Sequence, residues 1–127
     1  MIFERRQYPR TETEVPATIT LDGGARFSAV VCSLSCAGLQ LAVDRQTAAA
    51  IVPGSVLGTP LETLQLGVEF RLASPDGSTA DVRVRGKVLG ATRRAENVYR
   101  ISLQYLDIDT AMFERIDRFV NAVLALA

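Results

Sequence analysis

The run Val15-Pro16-Ala17-Thr18-Ile19-Thr20-Leu21, followed by Asp22-Gly23-Gly24 and a second apolar stretch over residues 26–34, decides the fold class. Its first part is β-branched and nearly alternating, the pattern of a half-buried strand. Glycine accepts positive φ cheaply, so Asp22-Gly23-Gly24 reads as a hairpin turn that a second strand must follow. Residues 26–34 supply it, with Phe27, Ala29 and Val31 on one face and Ser28, Val30 and Cys32 on the other. Both faces are fairly apolar, as in a strand inside a sheet rather than at its edge. The chain then breaks at Ser33-Leu34-Ser35-Cys36-Ala37-Gly38 and resumes with Leu39, Leu41 and Val43 alternating against Gln40 and Ala42. The sequence of events is strand, small-residue corner, strand.

Further along, residues 44–60 change character. Thr47-Ala48-Ala49-Ala50-Ile51-Val52 reads as one helical turn or a loop, and Pro53-Gly54 and Gly58-Thr59-Pro60 interrupt it, leaving room for at most a short strand over 55–57. Alternation returns at 64–72, where Leu64, Leu66, Val68, Phe70 and Leu72 oppose Gln65, Gly67, Glu69 and Arg71. Ser74-Pro75-Asp76-Gly77-Ser78 turns the chain back into a partner strand over 79–89, with Val82, Val84, Gly86 and Val88 inward and Asp81, Arg83, Arg85 and Lys87 outward. Near the end, Asp107-Ile108-Asp109-Thr110 is a helix start, since Asp or Thr there accepts from exposed amides. Met112, Phe113, Ile116, Phe119, Val120, Val123, Leu124 and Ala127 then recur at helical spacing, opposite Glu114, Arg115, Asp117, Arg118 and Asn121. That stripe has an ordinary destination, its own sheet, and a functional one, a second copy of the chain or a target protein.

A chain of 127 residues suits one domain with one core. Its fourteen basic and fourteen acidic residues cancel, so no overall field draws in nucleic acid or an anionic membrane, and an anion site has to be built locally. No apolar run approaches the roughly 20 residues of a spanning helix, and the N-terminus lacks the pattern of a signal peptide, so a cytoplasmic protein without membrane insertion is expected. Histidine is absent, which removes the commonest general base and metal ligand together. Cys32 and Cys36 could at most supply half a zinc site and read as small buried apolar groups. No acidic cluster stands out. The expectation is a non-enzyme with no catalytic residues, no metal and no cofactor.

The local basic excess lies ahead of the first strand, in Glu4-Arg5-Arg6-Gln7-Tyr8-Pro9-Arg10. Pro9 has no amide hydrogen and turns Tyr8 away from helical geometry, so the segment reads as an extended arm. Arg6 and Arg10 can place two planar, permanently charged forks around a small anion, each able to form paired hydrogen bonds to phosphate or to the O6/N7 edge of guanine. The other reading is a basic tail solvated by water. At the corner, Ser33 and Ser35 offer hydroxyls and Gly38 permits a sharp turn or a close approach.

Arm and corner together resemble the PilZ domain family. Arg6-Gln7-Tyr8-Pro9-Arg10 is similar to its RxxxR motif, Ser33-Leu34-Ser35-Cys36-Ala37-Gly38 to its (Asp/Asn)-x-Ser-x-x-Gly motif, and Tyr99-Arg100-Ile101-Ser102-Leu103-Gln104-Tyr105 to its late Gly-Val-x-Phe strand. The resemblance covers essentially the whole chain. It implies an all-β fold, a six- to seven-stranded antiparallel barrel with a C-terminal α-helix, that binds the bacterial second messenger cyclic di-GMP. On this chain it divides a single domain, 1–127, into an arginine arm (1–14), a barrel (15–106) and a terminal helix (109–127). It further implies that Arg6 and Arg10 grip phosphate and the guanine edge, that Arg5 assists by charge or by stacking, and that Ser33, Ser35 and Gly38 form the opposing wall.

Two positions depart from the pattern. Ser33 offers one short hydroxyl where the family has Asp or Asn, and a lost bond there costs ~1–3 kcal/mol. Ser102 replaces a glycine, an exchange that concerns barrel packing. The outward stripe Arg83, Arg85, Lys87, with Arg93 and Arg94 beyond it, reads as a solvated strand face rather than a nucleic-acid surface, because the chain has no tryptophan and few aromatics to stack on bases. A lesser role is that one of these cations helps neutralise the messenger's second phosphate. The resulting expectation is a cyclic di-GMP receptor or adaptor that passes messenger levels to a separate effector protein. The alternative is a degenerate PilZ-like adaptor that does not bind cyclic di-GMP and works by protein contact alone.

Overall fold

The computed structural model describes residues 8–52 and 64–126. Six strands and two helices occur among them: β1 (Arg10–Thr20), β2 (Arg26–Ser35), β3 (Gly38–Val43), α1 (Arg45–Ile51), β4 (Gln65–Ala73), β5 (Thr79–Ala95), β6 (Val98–Tyr105) and α2 (Thr110–Ala125). The strands form a closed antiparallel ring in the order β1-β2-β3-β6-β5-β4, with β1 pairing to both β2 and β4. Closure leaves no row of unpaired main-chain groups at a sheet edge where the ring is complete.

The alternation in the sequence fixes which side chains enter the ring. Ile19, Val31, Leu41, Val68, Val88 and Ile101, one from each strand, are all fully buried. The hairpin turn after β1 depends on Gly24, which sits at φ 95° and closes the turn by donating its N–H to the Leu21 carbonyl at 2.8 Å. Helix α2 packs on β1, β2, β4 and β5 and pushes Ile116 and Val120 into the core. Burying Ile116 contributes roughly 2 kcal/mol. Both helices start on an aspartate: Asp44 accepts from the Thr47 amide at 2.7 Å and Asp109 from the Met112 amide at 2.8 Å, each cap being worth about 1 kcal/mol.

The expected mainly-β ring with its terminal helix is therefore present, with changes at the boundaries. Strand β1 begins at Arg10, so the last residues of the expected arm (1–14) belong to the sheet, where Arg10 lies opposite Ser35 and Thr11 opposite Leu34. The single turn expected at 47–52 is a capped helix. Strand β5 runs past 89 to Ala95, pairing with β6 alone beyond Gly90. Its last residues are exposed on both faces, so no alternation announced them. The expected short strand over 55–57 lies outside the described residues, as do Arg5 and Arg6. Leu124 of α2 remains exposed, as does Leu126 just beyond the helix, so the stripe is only partly covered by the chain's own sheet.

Candidate functional site

Register brings the arm's last arginine to the corner. The β1–β2 ladder sets Arg10 against Ser35 and Glu12 against Ser33, and the Arg10 fork closes across both serines. Its Nη1 donates to Ser33 Oγ at 2.8 Å and its Nη2 reaches Ser35 Oγ at 3.4 Å. Ser33 and Ser35 are almost inaccessible, at 1% and 2% exposure, while Arg10 itself is exposed. Ser33 thus stands beneath the guanidinium as its support, rather than as a free acceptor on an open wall. Two neutral hydroxyls orient the cation without cancelling its charge.

The corner is held from several directions. Ser35 Oγ donates to the Gly38 carbonyl at 3.1 Å and accepts from the Ala37 and Gly38 amides at 3.1 and 3.2 Å. Tyr105, at the end of β6, donates its hydroxyl to the Ser35 carbonyl at 2.9 Å and its amide to the Ala37 carbonyl at 3.2 Å. Burial pushes the Tyr105 phenol up from its usual value of 10.0, so it remains a donor. Gly38 is needed for close approach, but the approach is of strand β6: a Cβ there would run into the Leu103 carbonyl. Cys36 Sγ lies 3.8 Å from the Phe113 carbonyl and 3.9 Å from Asp117 Oδ1. Burial first, and the Asp117 charge second, push this thiol up to about 11. Cys32 bonds instead to the Gln40 carbonyl at 3.4 Å, so the two thiols serve separate neighbours. No cluster of metal-ligating side chains occurs among the described residues.

Beside Arg10 opens a cavity of about 520 Å³, lined by Tyr8, Ser35, Gly38, Gln40, Gln104 and the arginine itself. Gln40 and Gln104 were not singled out by the sequence. Both alternate outward on their strands, and the pairings Gly38–Gln104 and Gln40–Ser102 place them around the corner. Ser102 shares this outer row with Gln40 and Ser33, while Ile101 and Leu103 point inward. Its exchange therefore concerns the surface beside the cavity, not packing inside the ring. Tyr8 makes an edge-on ring contact with Phe113 of α2, with centroids 5.7 Å apart at 81°. A larger cavity, about 660 Å³, lies between β4, β5 and the start of α2. Its Arg71 and Arg83 already pair with Asp81 at 2.7 Å and Glu69 at 3.4 Å, so it offers an anion less unspent charge.

An arginine-tipped strand clamped over a serine corner on the outside of a closed β ring defines a class of small binding domain. The chain belongs to the PilZ domain family, whose model matches residues 4–122. No curated protein matches it in sequence. Among solved structures it is similar to the Bacillus subtilis inhibitor of motility (MotI/DgrA), with 14% identity and a TM-score of 0.75 over 98% of this chain and 53% of that one. It is also similar to the PilZ domain, with c-di-GMP, of YcgR from Escherichia coli, with 12% identity and a TM-score of 0.65 over 97% and 95% of the two chains. A third likeness is to the K. pneumonia MrkH–c-di-GMP complex, with 13% identity and a TM-score of 0.64 over 98% and 55%. The chain thus spans about half the length of the MotI/DgrA and MrkH proteins and nearly all of the YcgR domain. PilZ domains are regulatory binding domains. No helix among the described residues is long and apolar enough to cross a membrane.

Proposed function

We propose that this domain is a cyclic di-GMP receptor that passes messenger levels to a partner protein from the cytoplasm. The observation that carries the reading is the Arg10 fork, oriented by Ser33 and Ser35 at the edge of a 520 Å³ cavity with no carboxylate on it among the described residues. A guanidinium held by hydroxyls keeps its full charge and most of its donors for a phosphate or a guanine edge. Two hydroxyls beneath it also lower the entropy lost when it grips the ligand.

In this reading Arg10 and Arg6 hold the ligand from the arm, Arg5 adds charge or stacks on a base, and Ser35 and Gly38 shape the wall. Ser33 acts through Arg10, which answers the exchange of the family's Asp or Asn: the hydroxyl supports the cation and does not spend its charge. The YcgR and MrkH structures, both with c-di-GMP, support the choice of ligand, as does the family itself. The output runs through contact with an effector protein, and the exposed Leu124 and Leu126 at the end of α2 offer an apolar surface for that partner or for a second copy of the chain. Calorimetric titration of the purified protein with cyclic di-GMP tests the reading. Saturable binding at micromolar concentration is expected, and no heat and no saturation at high micromolar concentration would overturn it in favour of a messenger-independent adaptor.

A further inference from the structure

The outward basic stripe of β5 is not uniform. Arg83 lies 3.4 Å from Glu69, and Arg85 lies 3.2 Å from Asp22, so each has a carboxylate beside it. Lys87, next along the same face, joins no ion pair among the described residues. The β5–β6 register sets Lys87 opposite Gln104, and the β3–β6 register sets Gln104 opposite Gly38. The three residues form one row across the outer surface of the ring, with the cavity at the Gly38 end. Adjacent strands lie about 4.8 Å apart, so the Lys87 backbone is roughly 10 Å from that of Gly38. A lysine stem is long and flexible enough to cross part of that gap.

From this placement we propose that Lys87 is the counter-charge for a second phosphate of the bound ligand, facing Arg10 across the Gln104 row. The inference rests on the cyclic di-GMP reading and adds to it a residue outside both short motifs. Arg10 sits at the β1 side of the cavity and Lys87 beyond its β6 side, so a dianionic ring laid over Gly38 and Gln104 meets a cation at each end. Its two phosphates repel one another, and one cationic group on each is the arrangement that lowers that repulsion most. Lysine suits the second position, since a point charge on a long stem tolerates variation in how the distal phosphate is presented. Arg83 and Arg85 sit on the same face, but their nearest charges are already opposite in sign.

The test is calorimetry with cyclic di-GMP on the wild type and on Lys87→Ala, Lys87→Arg, Arg83→Ala and Arg85→Ala, each at low and high salt. Lys87→Ala is expected to weaken binding about tenfold and to flatten its salt dependence. Lys87→Arg should restore both, and the other two variants should stay within about twofold of the wild type. Wild-type binding with Lys87→Ala inside that same range, or an equal loss in Arg83→Ala, overturns this inference and leaves the receptor reading standing. Absence of binding by the wild type overturns both.

Discussion

Two sets of arginines on this small ring look alike in the sequence and differ in the fold. Arg71, Arg83 and Arg85 stand on β4 and β5 with carboxylates at 2.7, 3.4 and 3.2 Å, and all are at least half exposed. Arg10 stands on β1 over two buried hydroxyls. The first arrangement cancels charge locally and is worth little, because both partners are already well solvated. The second spends buried polar groups on holding a cation that they do not neutralise, which is the arrangement the proposed anion site requires. What separates the solvated face from the proposed binding face is the partner of each arginine, not the number of arginines.

That contrast can be broken most directly at Arg10. Arg10→Ala is expected to weaken cyclic di-GMP binding by about a hundredfold or more, as loss of two charge-assisted bonds implies, whereas Arg83→Ala changes it by less than about twofold; equal effects in a titration would erase the distinction. Next in size is the corner beneath the arginine. Gly38→Ala forces a methyl against the Leu103 carbonyl, and a loss of about 2–3 kcal/mol is expected in urea unfolding, with the arm contact disturbed as well. Tyr105→Phe removes the donor from the Ser35 carbonyl and should cost roughly 1–2 kcal/mol in the same measurement.

An alkaline titration sharpens the comparison further, because the corner holds thiol and phenol groups that the outer ion pairs lack. Cys36 is raised from 9.0 to about 11 and Tyr105 is raised from 10.0. Folding therefore favours their protonated forms. Their contribution is full below the unfolded values, and it declines as pH climbs from about 9 towards 11 for Cys36 and above 10 for Tyr105. Melting temperature followed against pH should fall over that range, and Cys36→Ala should flatten the first part of the fall. The smallest effect is expected at Arg71→Ala, which should change stability by no more than about 0.5 kcal/mol despite the 2.7 Å bond to Asp81.

Much of the ring could be read from the chain because its strands have one face buried. Leu66, Val68, Phe70 and Leu72 alternate without a break, and so do Val82, Val84, Gly86 and Val88, so period and facing follow from sterics alone. The 91–95 extension of β5 carries no such pattern, since both of its faces meet water. At the site, Arg10 and the two serines were visible as motifs, but their mutual roles were not. Whether Ser33 faces a ligand or an arginine depends on a bulge, since Cys32 is passed over between the Val31 and Ser33 pairings. Gln40, Ser102 and Gln104 were hidden for a related reason: only long-range register puts them in neighbouring rows. The pairing of β3 with β6 joins segments far apart in the chain, and no local signal encodes it.

The corner's attachments also set an order in time. Ser35 waits for a hydroxyl that arrives 70 positions later on Tyr105, Gly38 is shaped to a strand that ends at the same tyrosine, and Tyr8 leans on Phe113, which belongs to the terminal helix. During synthesis from the N-terminus, therefore, a ribosome-bound chain exposes Arg10 long before the seat that aims it is complete. Nascent and truncated chains lacking β6 and α2 therefore lack the braced corner, and its geometry arrives in one late step as the ring closes.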